Sequence, residues 1–308
     1  MPLEITHLFG LKGVSREDID TILDTAVSFR EVLDRPIRIV PTLKGVAVLN
    51  LFYEDSTRTR ISFELAERRL SAEVVSFSKS SSSVSKGESL RDTVRNIEAM
   101  KIDLIVVRHR SPGTPRFLAA HTGCRIINAG DGEHEHPTQA LLDMMTMRRH
   151  FGTFEGLRVL IVGDILHSRV ARSEIWGLIT MGARVDVCGP ATLMPLDMRG
   201  FDVTVHHDFD RVIAEYNVIY MLRIQKERQP AGLIPSAREY TAMYGLTKDR
   251  VKRMSPEAVI MHPGPINRGI ELDYEVADSD RSLILEQVTN GEAVRMAVLY
   301  LLSGRSEQ

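Results

Sequence analysis

Residues 45–70 read GVAVLNLFYEDSTRTRISFELAERRL, and this stretch decides the fold. Its first part is a nearly continuous apolar run, which suits a strand buried on both faces. Its last part has the spacing of a helix. Between them lies Ser56-Thr57-Arg58-Thr59-Arg60, three hydroxyls and two arginines in five residues, where a strand hands over to a helix. A helix N-terminus carries unpaired N–H groups and partial positive charge, and so attracts anions. Hydroxyls from Ser56, Thr57 and Thr59 add donors, and Arg58 adds a planar fork that matches phosphate. A plain helix cap by Asp55 or Ser56 is the simpler account. It leaves Arg58 and the surplus of hydroxyls unexplained, so the stretch predicts a phosphate site.

The same strand-to-helix alternation fills the chain. The other runs in the first half are AEVVSFS, IDLIVVRH and CRIINAG; those in the second are LRVLIVGD, ARVDVCGP, DVTVHHD, NVIYMLR and AVIMHPG. They are short, mostly apolar and separated by enough chain for helices. That pattern predicts an α/β protein of two doubly wound parallel-sheet domains, with the active site in the cleft between them. Gly152 and Gly156 mark the join. The expected domains are 1–150, 151–290 and a terminal helix over 291–308 that packs back on the first domain, with Val294, Ala297, Val298 and Leu301 on one stripe.

Composition narrows the function. The 308 residues include 39 basic and 41 acidic ones, a balance unlike that of a nucleic-acid binder. No run approaches the ~18 apolar residues of a membrane span. MPLEITHLFG has no basic start followed by an apolar core, so the expected location is cytoplasmic. Cys124 and Cys188 sit at or near the ends of apolar runs and read as buried thiols rather than a disulfide or metal pair.

Ligands of open parallel sheets bind beyond the carboxyl ends of the strands. Those ends deliver Arg108, Arg223 and the turn HPGP, with DGEHEHPTQ and ILHSRVARS directly downstream. Residues 78–89 are serine-rich and read either as a solvated linker or as a mobile loop whose Lys86 closes over an anion; Ser85 and Glu88 would form a capping box. His134 and His136 lack metal-site spacing. Pro137 at a first helical position puts His136 at a helix entry, as a donor beside Gln139 or as a satisfied structural histidine. The single glycine in LIVGD excludes the three-glycine dinucleotide turn. Arg169 is read as a ligand arginine, with a surface position as the alternative. Residues 224–250 contain no strand-like run, and Arg223 and Gln225 stand at their root, where a lid would carry side chains to substrate.

Taken together, STRTR, SVSKGESLRDT, VVRH, HPTQALLD, RIQKER and HPGPINRGIEL resemble the aspartate/ornithine carbamoyltransferase family, and the aspartate branch in particular. The likeness covers nearly the whole chain in order and is thinnest over 190–215. It implies that Ser56, Thr57, Arg58 and Thr59 hold the phosphate of carbamoyl phosphate. Arg108, His136 and Gln139, with Thr59, would reach the carbamoyl group, and the backbone at Gly264 and Pro265 its amide. Family members commonly have leucine where this chain has Gly264. Arg169, Arg223 and Gln225 would grip L-aspartate. Ser82 and Lys86 match loop residues supplied by a neighbouring subunit, which implies a homotrimer with shared active sites. Lys86 would serve both substrates, and Arg58, Thr59, Lys86, Arg108 and His136 would form the catalytic set. The resemblance implies carbamoyl transfer to aspartate in pyrimidine biosynthesis, with no cofactor and no metal. It is compatible with larger assemblies containing a regulatory chain or dihydroorotase. The alternative is an ornithine or other amino-acid carbamoyltransferase. Ornithine's ammonium favours an acidic partner, and the Ser-Met-Gly loop and His-Cys-Leu-Pro turn usual in that branch are absent.

Overall fold

The computed structural model describes residues 3–78, 90–225, 233 and 236–304. Its elements run α1 (Arg16–Leu33), β1 (Ala47–Phe52), α2 (Thr57–Arg69), β2 (Glu73–Ser78), α3 (Leu90–Ala99), β3 (Leu104–His109), α4 (Thr114–Ala119), β4 (Arg125–Asp131) and α5 (Pro137–Phe151). They continue with β5 (Arg158–Val162), α6 (Arg169–Thr180), β6 (Arg184–Cys188), β7 (Val205–His206), α7 (Phe209–Val212), β8 (Val218–Met221), α8 (Ala237–Tyr244), α9 (Lys248–Val251), β9 (Val259–Met261), α10 (Tyr274–Ala277) and α11 (Ile284–Leu302). All nine apolar runs are strands.

The strands form two sheets, ordered β2-β1-β3-β4 and β7-β6-β5-β8-β9, and every pairing is parallel. Parallel strands need crossovers and cover on both faces, which is why β1, β3, β5 and β8 are buried almost along their whole length. In the first sheet the order reverses between β1 and β3, and in the second between β5 and β8. Crevices open at such switch points.

The chain divides into two compact units, Met1–Met145 with Thr289–Gln308, and Thr146–Val288. The first has a core of Leu49, Leu51, Val94, Ile105, Val107 and Ile126. The second is centred on Leu160, Val162, Phe209, Tyr216, Ile219 and Ile260. α5 and α11 each carry the chain from one unit into the other.

Two expectations need correction. Residues 290–299 of α11 are buried on every side, not along one stripe: the apolar Ala293, Met296 and Leu299 are buried, and so are the polar Asn290, Glu292 and Arg295. The strandless stretch after Ile224 is also not all connection. α8 and α9 occupy its second half, and Tyr240, Tyr244 and Leu246 belong to the second unit's core. No helix among the described residues is long and apolar enough to cross a membrane. Cys124 and Cys188 are buried free thiols; burial pushes Cys188 up to about 12.

Candidate active site

In the first unit the switch point holds the hydroxyl-arginine stretch. Tyr53 N donates to Arg108 O at 2.9 Å, fastening the exit of β1 to the end of β3. Ser56 takes the N-cap position of α2 with extended backbone, yet its side chain makes no capping bond. Its hydroxyl donates to Thr59 Oγ1 at 2.9 Å instead. No acidic residue stands in the first turn, so nothing on the helix offsets its positive end. Thr57 and Arg58 are exposed while Thr59 is buried. The cap foreseen as the simple account is therefore a cap by position only, and the first turn keeps its affinity for an anion.

Arg108, next to last in β3, is 9% exposed. Its guanidinium donates to Ala129 O at 3.0 Å and to Glu54 Oε1 at 2.9 Å. These two bonds fix a planar cation at the carboxyl edge of the sheet. His136 is buried immediately before Pro137, the first residue of α5, and its carbonyl accepts from Gln139 N and Ala140 N. Gln139 Nε2 in turn donates to both oxygens of Asp143, at 3.2 and 3.1 Å.

The acidic residues around His136 serve the backbone. Asp131 accepts from Gly113 N at 2.7 Å and Asn128 Nδ2 at 2.8 Å, and it pairs with the His134 ring. That hydrogen bond raises the His134 pKa against the opposing effect of burial. Glu135 accepts from Leu11 N at 2.6 Å and Lys12 N at 3.3 Å. It lies so near Gly10 that a Cβ there would come within 2.2 Å of Glu135 Oε1. No group of three or more His, Cys, Asp or Glu able to hold a metal occurs among the described residues.

The second unit builds its own cluster at the β5/β8 reversal. Past β5, Gly163 adopts φ 129°, and a side chain there would press on Tyr240 Oη and Leu222. Asp164 Oδ1 accepts from both the backbone N (3.2 Å) and the ring Nδ1 (2.9 Å) of His167. A carboxylate only accepts, so Nδ1 carries the hydrogen and Nε2 points elsewhere. Ser168 caps α6 by accepting from Ala171 N. Arg169, first residue of that helix, is 5% exposed, which excludes the surface alternative. Past β8, Arg223 is half-buried, and Gln225 Nε2 donates to His167 O at 3.4 Å, tying the β8 exit to the β5 exit.

The HPGP turn follows β9. His262 Nδ1 accepts from Gly264 N at 2.8 Å, and Nε2 faces Glu271 Oε1 at 3.3 Å in a fully buried contact. Gly264 has φ 63° and is joined to Pro265 by a cis bond. A left-handed residue is needed here, and glycine meets that need without strain. Ser82 and Lys86 lie outside the described residues, as does the capping box at Ser85 and Glu88.

Two family models match in succession. The carbamoyl-P binding domain of aspartate/ornithine carbamoyltransferase covers residues 6–149, and the Asp/Orn binding domain covers 155–302. The aspartate carbamoyltransferase catalytic subunit of Halothermothrix orenii is 54% identical over 99% of this chain and 97% of its own. The chain belongs to the aspartate/ornithine carbamoyltransferase family. Among solved structures, aspartate transcarbamoylase from Trypanosoma cruzi in complex with carbamoyl phosphate and aspartate superposes with a TM-score of 0.85 at 30% identity, over 96% of this chain and 95% of that one. Ornithine carbamoyltransferase from Pyrococcus furiosus gives 0.86 at 29% identity, over 97% of each.

Within this carbamoyltransferase fold, the side chains that hold the predicted ones are weakly marked in the sequence. Glu54 precedes the hydroxyl-arginine stretch by two residues, and Asp143 follows Gln139 by one helical turn. Asp164 and Glu271 have no such local marker. Their partners, His167 and His262, are found only through the fold.

Proposed function

We propose that the chain catalyses the reaction of carbamoyl phosphate with L-aspartate to give N-carbamoyl-L-aspartate and phosphate. The observation that carries this reading is the α2 N-terminus. It is an uncapped helix start with no acid in its first turn, set at the β1/β3 reversal beside the braced guanidinium of Arg108. Ser56, Thr57, Arg58 and Thr59 bind the phosphate. Arg108, His136 and Thr59 direct donors at the carbonyl oxygen as charge builds there. Gln139 and the backbone of Gly264 and Pro265 take the carbamoyl amide. Arg169, Arg223 and Gln225 hold the two carboxylates of aspartate in charge-assisted pairs. Lys86 and Ser82 come from a neighbouring subunit of a homotrimer in the cytoplasm.

The neutral α-amino nitrogen bonds to the carbonyl carbon, the bond from that carbon to the phosphate oxygen breaks, and the amine proton leaves with the phosphate. No side chain becomes acylated. Orientation of the two substrates supplies ~7–11 kcal/mol of the barrier reduction. The family name alone admits ornithine, but three cationic side chains assigned to the amino-acid substrate suit a dicarboxylate.

A ureido-product assay with aspartate, with ornithine and without acceptor tests the reading. Product with aspartate alone is expected; product with ornithine alone would overturn it. Sedimentation of the purified chain at three times the chain mass is expected for the homotrimer, and a monomer would remove it.

A further inference from the structure

Gln139 carries an amide that presents a donor at one end and an acceptor at the other, and the ligand meets whichever end is left to it. The fold settles which. Both Asp143 oxygens accept from Gln139 Nε2, at 3.2 and 3.1 Å, and Asp143 is fully buried. Asp143 also acts electrostatically on Arg295 of α11, a buried guanidinium whose pKa burial lowers to about 10 while Glu292 and Asp143 support its charge. Arg295 is held by Gly291 O and by Ser62 Oγ of α2, each at 3.0 Å, and lies over the Phe63 ring. An ionised carboxylate has no hydrogen to give, so it meets the nitrogen end of the amide. The Gln139 oxygen is then turned away from Asp143, and it makes no hydrogen bond among the described residues.

We infer that Asp143 is a positioning residue that sets substrate selectivity. By fixing the orientation of the Gln139 amide, it presents an acceptor that suits an acyl phosphate bearing –NH2 and leaves one bearing –CH3 unmatched. The inference rests on the proposed carbamoyl phosphate site. It adds that the choice of carbamoyl over acetyl phosphate is made one residue behind the ligand.

Asp143→Asn and Asp143→Ser both release the amide to turn over. In the unmodified protein, acetyl phosphate is expected to compete with carbamoyl phosphate about tenfold to a hundredfold more weakly than carbamoyl phosphate binds. Either variant should narrow that ratio by about tenfold and raise the carbamoyl phosphate KM. Inhibition by inorganic phosphate, which touches only the α2 end, should stay unchanged. An unchanged ratio, or a parallel loss of phosphate inhibition, overturns the inference. So does failure of both variants to fold, which would assign Asp143 to the fold. Absence of ureido product from the unmodified protein would instead strike at the reaction itself.

Discussion

His136 and Arg223 bear different parts of the proposed chemistry, and their truncation should separate. His136→Ala removes a donor to developing charge, so turnover should fall by ~10² to 10³, about 2.7–4 kcal/mol, with carbamoyl phosphate still bound in a calorimetric titration. Activity within about twofold of the parent would remove His136 from the mechanism. Arg223→Ala removes one carboxylate partner, so the aspartate KM should rise by at least tenfold, and an unchanged saturation curve would contradict the assignment. These residues were legible in the sequence because each stands directly after a strand or at a helix entry marked by proline. Their supports were less so. Glu135, whose carboxylate braces Leu11 and Lys12 across more than a hundred residues of chain, carries no local sign of that task.

Two helix starts give an internal comparison. Ser15 caps α1 by accepting from Asp18 N at 3.1 Å, whereas Ser56 at the start of α2 spends its hydroxyl on Thr59. Ser15→Ala should cost ~1 kcal/mol of stability. Ser56→Ala should leave thermal unfolding nearly unchanged while weakening phosphate inhibition, and equal destabilisation by the two would show that Ser56 is an ordinary cap. The nine strands could be read because a parallel sheet buries both faces and leaves unbroken apolar runs. Helices were harder wherever burial came from several directions. In α11 the apolar surround hides any stripe, and in α8 two tyrosines supply the core, so its amphipathic signal is carried by residues that also suit a loop. Their mutual packing (ring centroids 5.7 Å apart) is a tertiary fact with no counterpart in sequence spacing.

The stability of the whole molecule should depend on pH through Glu67. This fully buried residue of α2 accepts from Asn50 Nδ2 of β1 at 2.7 Å. Burial raises its pKa to about 8, and the Asn50 bond only partly opposes the shift. The folded state therefore holds a proton that the unfolded chain has released, and stability is lost as pH rises from about 4.5 through about 8. Glu67→Gln mimics the protonated form, so it should flatten that decline, by on the order of a few kcal/mol at the alkaline end. Denaturant melts of parent and variant at pH 5 and pH 9 that run parallel would refute the assignment. Residues 289–308 complete a unit begun by residues 1–145. During translation the first sheet emerges before the second unit, yet Ser62 and Arg69 must wait for Arg295 and Glu292, which leave the ribosome only after that unit. The nascent first unit is thus an unfinished body throughout synthesis of the second. A stop codon before residue 289 would leave that unit open for good, so a late part of the message guards the beginning of the fold.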